Sequence, residues 1–218
     1  MGNLLNNVFY KFGHNSFDNP QFTWAYEIES KSENVDTTCP ECGTRRQYPS
    51  GAFDVSVEGG SLFPDILGCG EYPFLIISQN VIEHWKEAGI HSFYTYPVGI
   101  AEVNSDELQN IPAPAYFRVE IDGRCKIDLE ASGLRAVQHC QLCHYLDTEP
   151  SVASGFKMIV DTWDGSPIFR DFDLYPRISF CTQLVIEIAR KHKHTNFRFE
   201  KMEGPFNISS RGINYLAE

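Results

Sequence analysis

Two C-x-x-C pairs, Cys39-Pro40-Glu41-Cys42 and Cys140-Gln141-Leu142-Cys143, constrain this chain more than any other feature. Two cysteines three apart face one metal when the backbone between them turns tightly, and two such pairs complete a tetrahedral all-thiolate shell. Gly43 follows the first pair and supplies the backbone freedom for the turn. The second pair is followed by His144 instead, so it is the less regular knuckle. Ninety-seven residues separate Cys42 from Cys140, far more than in a compact zinc ribbon.

An internal repeat accounts for that separation. At an offset of 104 residues Gln79 meets Gln183, Val81 meets Val185, Ile82 meets Ile186, Glu83 meets Glu187 and Phe93 meets Phe197. Tyr72-Pro73 meets Tyr175-Pro176 at an offset of 103, and Cys39 and Cys42 meet Cys140 and Cys143 at 101. The shared order of knuckle, Tyr-Pro and helix favours a duplication of a unit of roughly a hundred residues over chance similarity. On this reading residues 1–103 form a first unit, 104–115 a polar linker with two prolines, and 116–218 a second, packed together as one compact domain.

Each unit reads as strand, helix, strand. Phe74-Leu75-Ile76-Ile77 is a short apolar strand, and Ser78 and Thr182 stand where a hydroxyl caps a helix by accepting from free backbone N–H groups. The first helix places Val81, Ile82 and Trp85 on one face and ends at Gly89. The second carries Leu184, Val185, Ile188 and Ala189, with Arg190, Lys191 and Lys193 at its C-terminus, where the dipole favours cations. Alternating strands follow at Phe93/Thr95 and Phe197/Phe199. TWAYEIES and FKMIVDTW read as further strands, and AYFRVEIDG with CKIDLEA as a hairpin about Asp122-Gly123. The expected fold is therefore α+β, two related strand–helix–strand units with many short strands, joined by a four-cysteine zinc site.

The net charge of −11 opposes binding to nucleic acid phosphate and suits a basic protein partner, although a plain solvated surface accounts for it as well. Seven cysteines, four of them in knuckles, fit metal binding in a reducing compartment better than a disulfide framework. MGNLLNNVFYKFG has no basic segment followed by an apolar one, Asn6 interrupts the myristoylation pattern, and no run of apolar residues is long enough for a membrane helix. The expectation is a cytoplasmic protein that engages no membrane.

For the knuckles, three readings stand. One structural zinc held by Cys39, Cys42, Cys140 and Cys143 is favoured, with Arg45, Arg46 or backbone N–H groups to offset its charge. A thioredoxin-like redox pair needs a C-x-x-C opening a helix, which TCPECGTRRQYPSG does not resemble. Plain thiol clusters are the third. His139 and His144 flank the second pair and are alternative ligands, more often exposed than ligating. No nucleophile elbow, P-loop, H-E-x-x-H or dinucleotide fingerprint occurs, so no enzyme is expected. Asp161, Asp164, Asp171 and Asp173 are spaced too irregularly for an EF-hand and read as a solvated loop above Trp163 and Phe169. Gly59-Gly60-Ser61 reads as a turn between strands, and His192-Lys193-His194 as a helix end. A zinc-ribbon-like nucleic-acid module is the alternative function, but Arg45-Arg46 and residues 190–193 are the only short basic clusters for it.

Taken together, CPECG at 39–43 with Tyr48-Pro49 after it, CQLC at 140–143 after YFRVEIDG, DTWDGSPIFR at 161–170 and the closing FRFEKM resemble the double-CXXCG-motif family of bacterial immunity proteins. Two departures are His144 in place of the second glycine and Pro167 in place of an acid. The resemblance implies a non-enzymatic protein that binds and neutralises a co-encoded toxin, with Cys39, Cys42, Cys140 and Cys143 as zinc ligands. It assigns no toxin-contacting residue.

Overall fold

The computed structural model describes residues 8–15, 19–28, 34–49, 53–69, 75–143, 145–149, 152–174 and 178–207. In chain order the elements are β1 (Phe9–His14), β2 (Trp24–Glu27), β3 (Asn34–Thr38), β4 (Arg45–Pro49), β5 (Phe53–Glu58), β6 (Ile66–Cys69), β7 (Leu75–Ser78), α1 (Gln79–Glu87) and β8 (Phe93–Asn104). Then come β9 (Tyr116–Ile121), β10 (Lys126–Asp128), β11 (Arg135–His139), β12 (Leu146–Glu149), β13 (Val152–Gly155) and β14 (Lys157–Ile159). A short 3-10 turn (Val160–Thr162) leads to β15 (Ile168–Phe169), β16 (Ser179–Thr182), α2 (Gln183–His192), β17 (Phe197–Lys201) and β18 (Glu203–Asn207). Among the described residues the chain is mostly β with two α-helices, as the many short apolar runs predict.

Six strands close into a barrel in the order β2-β5-β8-β9-β7-β6. Phe53, Val55 and Val57 alternate along β5 and fill its interior with Ala25, Leu67 and Ile76. On β7 the other face is buried too, because Leu75 and Ile77 meet α1, so the strand reads as an unbroken apolar run. A second sheet has the order β15-β16-β1-β17 and packs against α2. Trp85, Phe12, Ile77, Ile82, Val185 and Ile188 belong to one core shared by both helices and both sheets.

The two strand–helix–strand segments are laid out alike. α1 joins β7 to β8, and both strands run antiparallel to β9 between them. α2 joins β16 to β17, and both run antiparallel to β1 between them. The registers correspond: Ser78 pairs Tyr116 and Phe93 pairs Ile121, while Thr182 pairs Phe9 and Phe197 pairs His14. The strand before each helix also has an antiparallel neighbour at the same register, Ile66 with Ile77 and Ile168 with Cys181. The middle strands are exchanged along the sequence. β9 follows the 104–115 segment yet lies in the barrel, and β1 opens the chain yet lies in the second sheet.

Each middle strand carries one buried cation at its third position. Lys11 is 2.9 Å from Glu200 on β17, and the Arg118 guanidinium lies 4.3 Å above the Tyr96 ring on β8. Burial lowers Lys11 to about 8, with Glu200 opposing that shift.

Several expectations need correction. Neither Ser78 nor Thr182 caps its helix through its side chain. The Ser78 hydroxyl donates to Asp65 Oδ1 at 2.8 Å instead. Gly89 does sit at the turn after α1, with φ +80°. On α2 the buried positions are Val185, Ile186, Ile188 and Ala189, and Leu184 is exposed. The Asp122-Gly123 hairpin does not form, because β9 is saturated by β7 and β8 and β10 pairs with β14. At Gly123 the chain instead passes under Ile168, whose carbonyl would lie 2.1 Å from an added Cβ. Within the 104–115 segment, Leu108 is fully buried. The Tyr72-Pro73 and Tyr175-Pro176 pairs lie outside the described residues.

Candidate metal centre

Both knuckles are tips of two-stranded hairpins. β3 and β4 flank Cys39 and Cys42, and β11 and β12 flank Cys140 and Cys143. Neither pair opens a helix, as a thioredoxin-like site requires. The turns are built alike: Cys39 N–H donates to the Thr44 carbonyl at 2.9 Å, and Cys140 N–H to the Tyr145 carbonyl at 2.9 Å. Gly43 N–H donates to the Cys39 carbonyl at 2.9 Å, and Gly43 has φ +71°, so glycine is needed there. His144, which follows the second pair, lies outside the described residues.

The folded chain brings the four thiols together. Cys39 Sγ is 3.7 Å from Cys140 Sγ, Cys42 Sγ is 3.6 Å from Cys143 Sγ, and all four ligand atoms lie within 4.8 Å of one another. A tetrahedral shell with metal–sulfur bonds of about 2.3 Å has sulfur–sulfur edges of about 3.8 Å. These two separations are close to that edge, so the residues fit a four-thiolate metal site. Cys39 and Cys140 are buried, and Cys42 and Cys143 are half-buried.

The local field explains why such a cluster calls for a cation. Hydrogen bonding from Thr44 lowers the Cys42 thiol to about 6, whereas desolvation raises Cys143. Four thiolates this close repel one another, and one divalent cation offsets half of their charge. Backbone N–H groups of Thr44, Leu142, Cys143 and Tyr145 point at the sulfurs. Of the three sources expected for that offset, these are the backbone N–H groups, and Arg45 is instead committed to Asp36 in a two-pronged surface pair. With a metal bound, a closed four-cysteine shell would leave no open coordination position and would tie the two hairpins together.

Of the alternative ligands, the described ones lie outside the cluster. His139 Nε2 is 3.9 Å from Asp173, its Nδ1 is 3.3 Å from the Gln141 amide, and His139 is not part of the cluster. The acidic run does not gather at a metal. Asp164 accepts from the Arg124 and Ser166 N–H groups, and Asp171 accepts from those of Ile127 and Asp173. Lys126 bridges Asp171 and Asp173. Asp171 is 4% exposed, so this part of the expected solvated loop is a buried brace along β10. Trp163 and Phe169 pack beneath it against Phe9, as expected. Gly59 and Gly60 form a turn with φ +58° and +65°. Cys69, Cys125 and Cys181 are buried in three separate cores.

Two features escaped the reading of the sequence. Glu41, at the first knuckle's tip, accepts from the Cys140 thiol at 3.4 Å. The helix-end histidines meet His84 across 110 residues of chain. Spacing carries no signal for either.

No protein-family model matches this sequence, and no curated protein does. Among the described residues, no helix is long and apolar enough to cross a membrane.

Proposed function

We propose that this chain is a cytoplasmic immunity protein of the double-CXXCG-motif kind, which binds and neutralises a co-encoded bacterial toxin and performs no catalysis. A structural zinc, one per chain, joins two related units through Cys39, Cys42, Cys140 and Cys143. The four-cysteine cluster is the observation that carries this reading. It assembles only when both C-x-x-C motifs on which the resemblance rests converge, and its closed shell suits a staple rather than an active centre. The corresponding registers of β7-α1-β8 about β9 and of β16-α2-β17 about β1 support the duplication. The net charge of −11 supports a basic toxin domain as partner, since opposite fields speed and select encounter.

Co-expression with the toxin encoded beside it tests the proposal. The expected outcome is survival of the host and a complex that stays together through size-exclusion chromatography. Toxicity unrelieved by this chain, with no complex recovered, would refute it. A salt-sensitive mobility shift with DNA or RNA in the absence of toxin would favour the nucleic-acid module instead.

A further inference from the structure

Three imidazoles meet where α1 approaches the end of α2. His84 Nδ1 and His194 Nε2 are 2.9 Å apart, with the two rings within 19° of parallel. His192, the last residue of α2, stacks on His84 with ring centroids 3.5 Å apart. This arrangement is set by the backbone. Lys193 at φ 55° and Asn196 at φ 64° are the non-glycine residues in the left-handed region among those described, and they bracket His194. Asp65 holds the same turn, accepting from the Thr195 N–H at 2.9 Å and hydroxyl at 3.1 Å. Asn196 reaches back to the Ile66 carbonyl at 2.7 Å. His194 is thus pinned to the barrel loop while its chain neighbour His192 stays on α2.

We propose that His84, His192 and His194 form an acid-sensitive latch between α1 and the end of α2, closed while the trio carries at most one added proton and opened by a second. The 2.9 Å contact is an N–H···N bond, which needs one facing nitrogen without a proton. One extra proton is accommodated on a remote nitrogen. A second sets two imidazolium rings against each other, along the hydrogen bond, across the 3.5 Å stack, or across the 5.8 Å between the His192 and His194 rings. His194 Nδ1 is buried with no hydrogen-bond partner among the described residues, so a charge there is not relieved by solvent.

The charged groups acting on the trio are Asp65 from the loop before β6, Glu87 on α1 and Lys191 on α2. Asp65 attracts a proton, but its oxygens are already engaged by Ser78 and Thr195. Burial outweighs it and holds His194 down to about 4, and desolvation also lowers His192. The folded chain therefore binds fewer protons here than the unfolded chain, whose histidines titrate near about 6.5. The latch contributes fully above that value and is lost as pH falls from there towards about 4.

Urea unfolding of the full chain at about pH 7.5 and about pH 5.5, for the natural sequence and for His84→Gln/His192→Gln, tests the latch. Buried His14, also lowered to about 4, weakens both proteins alike. The natural chain's folding equilibrium constant is expected to fall further than the variant's across that interval, because the variant keeps the burial of His194 but loses its repulsion by His84 and His192. Equal falls would overturn the proposal. Should the variant not fold, imidazole titration by NMR on the natural chain decides. His194 with a midpoint well below the ordinary value supports the latch, and three independent titrations at the ordinary value overturn it.

Discussion

Cys39→Ser is expected to destabilise the chain severely, whereas Cys69→Ser, also at a buried cysteine, is expected to be tolerated. Loss of one thiolate from a four-sulfur shell removes most of the metal's affinity, and metal affinity in such sites is folding free energy. Structural zinc sites contribute roughly 10 kcal/mol or more, comparable with the whole stability of a domain, so Cys39→Ser is expected to lose at least several kcal/mol. Cys69 lies in the barrel core and is not part of the cluster, and a hydroxyl there costs about 1–2 kcal/mol. Thermal unfolding with and without a chelator checks the difference. The chelator should bring the natural protein and Cys69→Ser down towards the Cys39→Ser midpoint and leave Cys39→Ser where it is. Equal midpoints for the two variants would count against a structural metal.

The second large effect concerns the exchanged strands. Polypeptides 1–109 and 110–218, made together, are expected to purify as one complex, and neither is expected to fold alone. β1 is a central strand whose partners β16 and β17 both lie after residue 178, and β9 is hydrogen-bonded on both sides by strands of the first polypeptide. The cysteine cluster and the core containing Phe12, Trp85 and Val185 also cross the cut. Gln109 and Asn110 are exposed in a turn, so the cut itself costs little. A version beginning at residue 15 removes β1, including Phe12 at 4% exposure, and is expected to lose more than about 5 kcal/mol. Circular dichroism and gel filtration of the separate pieces check this. Two folded, independent monomers would contradict it.

What was legible in the sequence follows the range of the forces that encode it. The helices around Val81-Ile82-Trp85 and Val185-Ile188 are written in periodicity and turn residues, so they emerge near their expected bounds. The cysteines were legible because thiols in C-x-x-C have few other uses, and the structure brings all four together. Strand partners were not. A strand's own residues record which faces are buried, and β1 looks the same whether it pairs with β2 or with β16 about 170 residues on. The same limit misplaced the Asp122-Gly123 hairpin, whose turn chemistry is sound but whose first strand is taken by β7 and β8. Nothing in the residues around Lys11 signals its burial, because its partner Glu200 comes from β17 near the other end of the described chain. Ser78 and Thr182 show that a capping residue marks a helix start even when its hydroxyl does not complete the cap.

Metal content is the most direct measurement of the central claim. Protein purified without a chelator, then analysed for elements, should carry one zinc per chain, and Cys39→Ser should carry well under one. Natural protein that is folded and metal-free would contradict it.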